Sequence, residues 1–178
     1  KNPESFASYS YRAYFTDKVR GRVMRLSKDG LTPISDAGMR DWFRDNLKFN
    51  ATNYQSYPSL HSQHVNDKLI GSYDDKKQEY NLTIKVMPRP SKTITYREDV
   101  RGWTTFKSYI SEISKSCNNE YYTFNKGNLW IHHIEGTARN NFYGAQYYSS
   151  FKVILNDAPG TVKTFHTLNY EGSQAVVS

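Results

Sequence analysis

The chain has 178 residues, 24 Lys and Arg against 17 Asp and Glu, a net charge of +7 and a mean hydropathy of −0.79. Its single cysteine, Cys117, excludes an internal disulfide framework and favours assembly in a reducing compartment. No apolar run approaches the roughly 20 residues that a membrane-spanning helix needs. The chain opens at Lys1 without a charged-then-apolar leader and without Met, which leads us to expect a segment of a larger polypeptide or a processed product. Fifteen Tyr, nine Phe and three Trp supply amphipathic surfaces despite a hydrophobic content of 37%, as in a chain that buries faces against partners.

Read in chain order, residues 1–13 alternate Ser and Tyr and are expected to form a strand entering a first meander. That meander continues through a polar Asp17-Lys18 turn, the alternating run Arg22-Val23-Met24-Arg25-Leu26, and a Lys28-Asp29-Gly30 turn. Ser35-Asp36 offers a helix N-cap, and Met39, Trp42, Phe43 and Leu47 share one helical face, so one amphipathic helix is predicted over 36–47. Residues 48–66, rich in Asn, Ser, Tyr and His, read as a long insertion loop. A second hairpin spans Lys68 to Val86 around Asp74-Asp75-Lys76-Lys77, and Met87-Pro88-Arg89-Pro90 ends it because proline cannot donate to a ladder.

Ser91 to Glu98 and Trp103 to Tyr109 are the next strands, with a loop over 110–120. A third hairpin turns at Asn125-Lys126-Gly127, a tight aromatic turn sits at Phe142-Tyr143-Gly144, and final strands are expected over Tyr147 to Leu155 and Val162 to Leu168. The whole reads as a single all-β region, 1–178, of repeated antiparallel meanders with one short helix.

No catalytic constellation emerges. His61-x-x-His64 and His132-His133 have a metal-like spacing, but neighbouring strand residues point to opposite faces, so no metal and no cofactor is expected. Asp74-Asp75 reads as turn chemistry rather than a glycosidase pair, because Asp caps the local backbone in turns. Cys117 in KSCNNE has no base placed to activate it, and the sequons at Asn50 and Asn81 carry no weight without a secretory signal. Trp103, Trp130 and Tyr148 offer stacking platforms for sugar rings, which is a second, glycan-binding reading. The basic residues are dispersed, with one cluster at Lys18, Arg20, Arg22 and Arg25 that reads as either a solvated edge or a sequence-independent DNA-facing surface.

The phrases YFTDKVRGRVMRLSKDGLTPIS, GMRDWFRDNL, IGSYDDKKQEYNLTI, GWTTFKSY, FYGAQYYSSFKVILNDAP and VKTFHTLNYEGS, in that order over roughly residues 9 to 174, resemble the C-terminal part of large virion structural proteins of tailed bacteriophages. The group includes the tail nozzle, or muzzle, proteins of crAss-like and related marine short-tailed phages. The resemblance implies β-propeller-like blades in a homo-oligomeric ring around a DNA exit channel. It also implies location in the phage tail after assembly in the host cytoplasm, and contacts with other tail proteins. It brings no catalytic residues, so a non-enzymatic structural role is expected. The alternative is a receptor- or glycan-binding tail module that uses the 48–66 loop and exposed aromatics. A tail depolymerase has the least support.

Overall fold

The computed structural model describes residues 2–47, 68–86, 89–153, 159–167 and 169. The expected insertion loop at 48–66 lies outside these residues. The chain divides into two units, residues 1–148 and 149–178.

The first unit is built from antiparallel meanders. One sheet orders β1 (Ala7–Tyr9), β2 (Arg12–Asp17), β3 (Arg22–Ser27) and β4 (Gly30–Pro33); a second orders β5 (Lys68–Asp74), β6 (Glu79–Lys85), β7 (Lys92–Arg97) and β8 (Gly102–Lys107). A three-stranded sheet holds β9 (Ile113–Cys117), β10 (Glu120–Asn125) and β11 (Asn128–Ile131), and a short ribbon pairs β12 (Asn141–Phe142) with β13 (Ala145–Gln146). Within each sheet, strands consecutive in sequence are paired, as short connections favour. A closed propeller is not seen among the described residues.

Turn residues explain where the chain reverses. Asn125 pairs Asn128 around Lys126 (φ 50°) and Gly127 (φ 75°), and Phe142 pairs Ala145 around Tyr143 (φ 55°) and Gly144 (φ 77°). Both are two-residue loops with left-handed central residues, whose twist matches that of the flanking strands. Two reversals depart from the sequence expectation. The Ser-Tyr alternation of residues 1–13 is cut by a turn at Ser10 and Tyr11, with Ser10 at φ 52°, so it forms two strands rather than one. Residues 113–117, expected as loop, form β9, because Asn118 (φ 50°) and Asn119 (φ 59°) close a further hairpin onto β10. Asparagine tolerates this conformation better than other non-glycine residues.

The helix α1 (Arg40–Leu47) starts later than the Ser35-Asp36 cap suggests, because those residues sit in a 3-10 turn, Ile34–Asp36, and Gly38 (φ 74°) breaks the chain direction before Arg40. Phe43 and Leu47 are fully buried, whereas Met39 and Trp42 pack against the core only in part.

The core lies between the two four-stranded sheets and is aromatic. Tyr14 stacks on Tyr80 with ring centroids 4.9 Å apart, Tyr9 stacks on Tyr73 at 4.4 Å, and Phe43 meets Trp103 at 4.5 Å. The N-terminal 3-10 turn, Pro3–Ser5, closes one end. Ser5 Oγ accepts the Thr16 backbone N–H at 3.0 Å, and Tyr80 donates its hydroxyl to Ser5 O at 2.8 Å. Only glycine fits beneath that turn, since a Cβ on Gly71 would stand 2.0 Å from Ser5 O.

Strand β6 is buried on both sides. Tyr80, Leu82 and Ile84 face the aromatic core, while Glu79, Asn81 and Thr83 face a second, polar interior. There Thr83 shares hydrogen bonds with Thr93 (2.8 Å) and Ser111 (3.2 Å), and Thr95 donates to Asn81 Oδ1 at 2.6 Å. Buried hydroxyls are tolerated when bonded in this way. The second sequon asparagine, Asn81, is therefore 1% exposed.

In the second unit, the described residues carry no helix or strand, although the sequence led us to expect two strands there. The apolar side chains Phe151, Val153, Val162 and Phe165 are exposed. An alternating pattern specifies a strand only if a sheet edge and a surface are at hand to receive it.

Candidate functional site

The four basic residues singled out from the sequence do not form one stripe. Lys18 and Arg20 lie in the turn between β2 and β3; Arg20 Nη1 bonds Asp17 Oδ2 at 2.8 Å and keeps that carboxyl below the usual range. Arg22 stands 3.7 Å from Asp36. Arg25 is three residues further along β3, which places it on the opposite face. Its Nη1 bonds Glu98 Oε2 at 2.8 Å, and its side chain is 18% exposed.

Two grooves result. Arg20 and Arg22 line the first, of about 800 Å³, together with Arg40, Asp41 and Arg44 of the helix. Arg25 lines the second, of about 740 Å³, where residues from separate hairpins meet: Arg12 from β2, Lys28 from the β3–β4 turn, and Glu98 and Arg101 from the β7–β8 turn. Glu98 organises this groove. It accepts the Tyr14 hydroxyl at 2.7 Å and also lies 3.9 Å from Arg12 Nε. Burial, and then the bond to Glu98, push the Tyr14 hydroxyl pKa well above its ordinary value, so Tyr14 remains a donor. Glu98 is 73 residues from Arg25 in sequence, and no local pattern announced the pair.

A second polar centre joins the three-stranded sheet to β5. Asp74 Oδ1 accepts the Lys77 backbone N–H at 3.1 Å, the turn cap expected from sequence, while Oδ2 bonds His133 Nε2 at 2.6 Å. His132 bonds Thr123 Oγ1 at 2.8 Å, and that oxygen also meets Tyr143 OH at 2.9 Å. Ser72 and Tyr121 share a bond of 2.7 Å. Burial is the first cause that lowers the His132 pKa, to about 4, and the neighbouring His133 adds to it; His132 is neutral at pH 7. The premise that the two histidines oppose each other across a strand does not apply, because β11 ends at Ile131 and His133 is left-handed at φ 61°. Their rings are 6.0 Å apart, each held by its own partner.

The bond that His133 makes is to a carboxylate, not to a hydroxyl or thiol that it could activate. Cys117 ends β9 on the face turned away from this network and is exposed. Among the described residues no three His, Cys, Asp or Glu side chains are grouped to hold a metal; His61 and His64 lie outside them. No helix among the described residues is long and apolar enough to cross a membrane.

The aromatic platforms are mostly engaged. Trp103 donates its indole N–H to Ile34 O at 3.0 Å and packs against Tyr96, and Trp130 lies against Tyr143 at 5.4 Å. Tyr148 stands out in solvent at 97% exposure.

A family model described as the Crassvirus muzzle protein C-terminal domain matches residues 137–177, from the loop after β11 through the second unit. This is the family that the ordered phrases of the sequence resemble. No curated protein matches the chain.

Proposed function

From the match of residues 137–177 to a muzzle protein C-terminal domain, which implies a phage virion structural protein, we propose that this chain is a non-enzymatic part of the tail nozzle. In this reading it forms a ring with other copies of itself and with other tail proteins, and the ring supports virion assembly and DNA passage. The four-stranded meanders β1–β4 and β5–β8 serve as blades of a propeller-like arrangement that other segments complete. Lys18, Arg20 and Arg22 lie on the side turned to DNA, and Arg25 stabilises the blade pair through Glu98. The carboxylates beside these arginines keep the surface weakly attractive. That suits a channel, since a tight grip on phosphate would oppose movement.

The single observation that carries the proposal is the family match. The experiment is gold-labelled antibody raised against this chain, imaged on virions of the phage that encodes it. Label at the tail tip is the expected result; label confined to the capsid, or found only on infected-cell debris, overturns the assignment.

A further inference from the structure

The groove around Glu98 holds more cationic groups than the fold uses. The Glu98 carboxylate is engaged by the protein itself, Oε1 by the Tyr14 hydroxyl and Oε2 by Arg25 Nη1. Tyr14 is stacked in the aromatic core, so this side of the groove is fixed to the interior. The network is closed without the remaining cations. Arg12 stands 3.9 Å from Glu98, beyond hydrogen-bond reach, and its side chain is 42% exposed. Lys28 and Arg101 are exposed and pair with no carboxylate among the described residues. Arg101 is nevertheless fixed in place: its backbone N–H donates to Glu98 O at 3.2 Å, and Asp99, the other carboxylate of that turn, is taken up by Arg97.

We propose that this groove binds an acidic sugar, a hexuronate or similar carboxylated residue of a polysaccharide. Three features select that ligand. The first is charge: Arg12, Arg25, Lys28 and Arg101 line the groove against only Glu98 and Asp29, and guanidinium forks match a planar carboxylate. The second is the mixture of hydrogen-bonding groups. Asp29 and the hydroxyls of Ser10, Ser27 and Thr32 supply acceptors beside the cationic donors, as sugar hydroxyls, which both donate and accept, require. The phosphate backbone of DNA offers acceptors alone, and Asp29 would repel it. The third is Tyr11, which lines the same groove at 90% exposure and presents an aromatic ring for the C–H face of a sugar to cover. The volume, about 740 Å³, falls within the range of roughly 300–1,000 Å³ typical of small-ligand sites. Trp103, Trp130 and Tyr148, the platforms that composition suggests, do not line it. The inference does not depend on the ring reading above.

The test uses the full chain and isothermal titration calorimetry. The probes are a tetrasaccharide of alternating glucuronate and N-acetylglucosamine, the same tetrasaccharide with its carboxyl groups reduced to alcohols, and a mixed-sequence single-stranded dodecanucleotide. The wild type is expected to bind the acidic tetrasaccharide in preference to the other two. Lys28→Gln and Arg101→Gln are each expected to weaken that binding by about tenfold, the loss of one charge-assisted hydrogen bond. Lys126→Gln, which removes a positive charge from the β10–β11 turn outside the groove, is expected to leave it unchanged. Both groove side chains are exposed, and circular dichroism establishes that the variants fold. No binding of the acidic tetrasaccharide overturns the inference. Equal binding of its reduced form removes the acidic selection, and tighter binding of the dodecanucleotide, weakened by the same two variants, assigns the groove to phosphate instead. An equal loss in Lys126→Gln shows diffuse attraction with no site, and overturns it as well.

Discussion

At the scale of single residues, His132 carries the clearest consequence. Its ring packs among Tyr109, Tyr121, Phe142 and Tyr143, and the titratable groups that act on it electrostatically are His133, Asp74 and Lys107. The folded-state pKa, about 4, lies below the ordinary 6.5, so the folded chain binds fewer protons than the unfolded one between these values. Stability from this group is therefore complete above pH 6.5 and is lost as pH falls towards 4, by up to about 3 kcal/mol. Urea midpoints across that window should decline more steeply in the wild type than in His132→Gln; parallel curves would show that the ring is not held neutral by the fold.

At the scale of elements, the helix separates what periodicity reveals from what it hides. Spacing alone places Met39, Trp42, Phe43 and Leu47 on one face, and they do share it, but only Phe43 and Leu47 reach the interior. Trp42 lies edge-on to Phe43 at 4.9 Å and to Phe106 at 5.3 Å, with Lys92 Nζ 5.4 Å from its ring. Phe43→Ala should cost about 3–5 kcal/mol, as deletion of a buried aromatic does, and Trp42→Ala should cost less, about 1–3 kcal/mol. Equal losses in denaturant unfolding would contradict this division of the face.

The hairpins carry the same lesson. Those with glycine in the turn were readable, whereas the Asn118-Asn119 and Ser10-Tyr11 reversals were not, because neither pair demands a turn by itself. Of the strands expected beyond Tyr147, the described residues, 147–153 and 162–167, form none, since alternation says nothing about whether a partner edge exists. The polar side of β6 looks in sequence like a solvent face; its burial depends on Ser111 and on the sheet that follows. The Glu98 groove was hidden for a related reason: its parts come from strands and turns of separate hairpins that meet only when the two large sheets pack.

At the scale of the whole molecule, the charge excess is spread and locally compensated, and that sets the expected behaviour towards nucleic acid. Binding of the assembled protein to random duplex should be sequence-independent and fall steeply with salt. Arg20→Glu together with Arg22→Glu should weaken it and reduce the slope of log affinity against log salt by about 2 if each contacts one phosphate. Fluorescence anisotropy across a salt series measures both quantities. An unchanged slope would show that these arginines serve only Asp17 and Asp36. Binding that prefers one sequence at high salt would be equally incompatible with a conducting surface.

The double burial of β6 also acts as a proofreading device during folding. In most antiparallel sheets a strand that pairs one residue out of step presents the wrong side chains to one interior, and the water side absorbs the error. Here a single-residue slip would push Asn81 and Thr83 among the stacked tyrosines. At the same moment it would turn Leu82 and Ile84 towards Thr93, Thr95 and Ser111, which would lose their hydrogen-bond partners. The mistake is penalised on both sides at once. A protein whose neighbouring meanders resemble one another thereby gains a means of telling its correct pairing from the near-equivalents within its own chain.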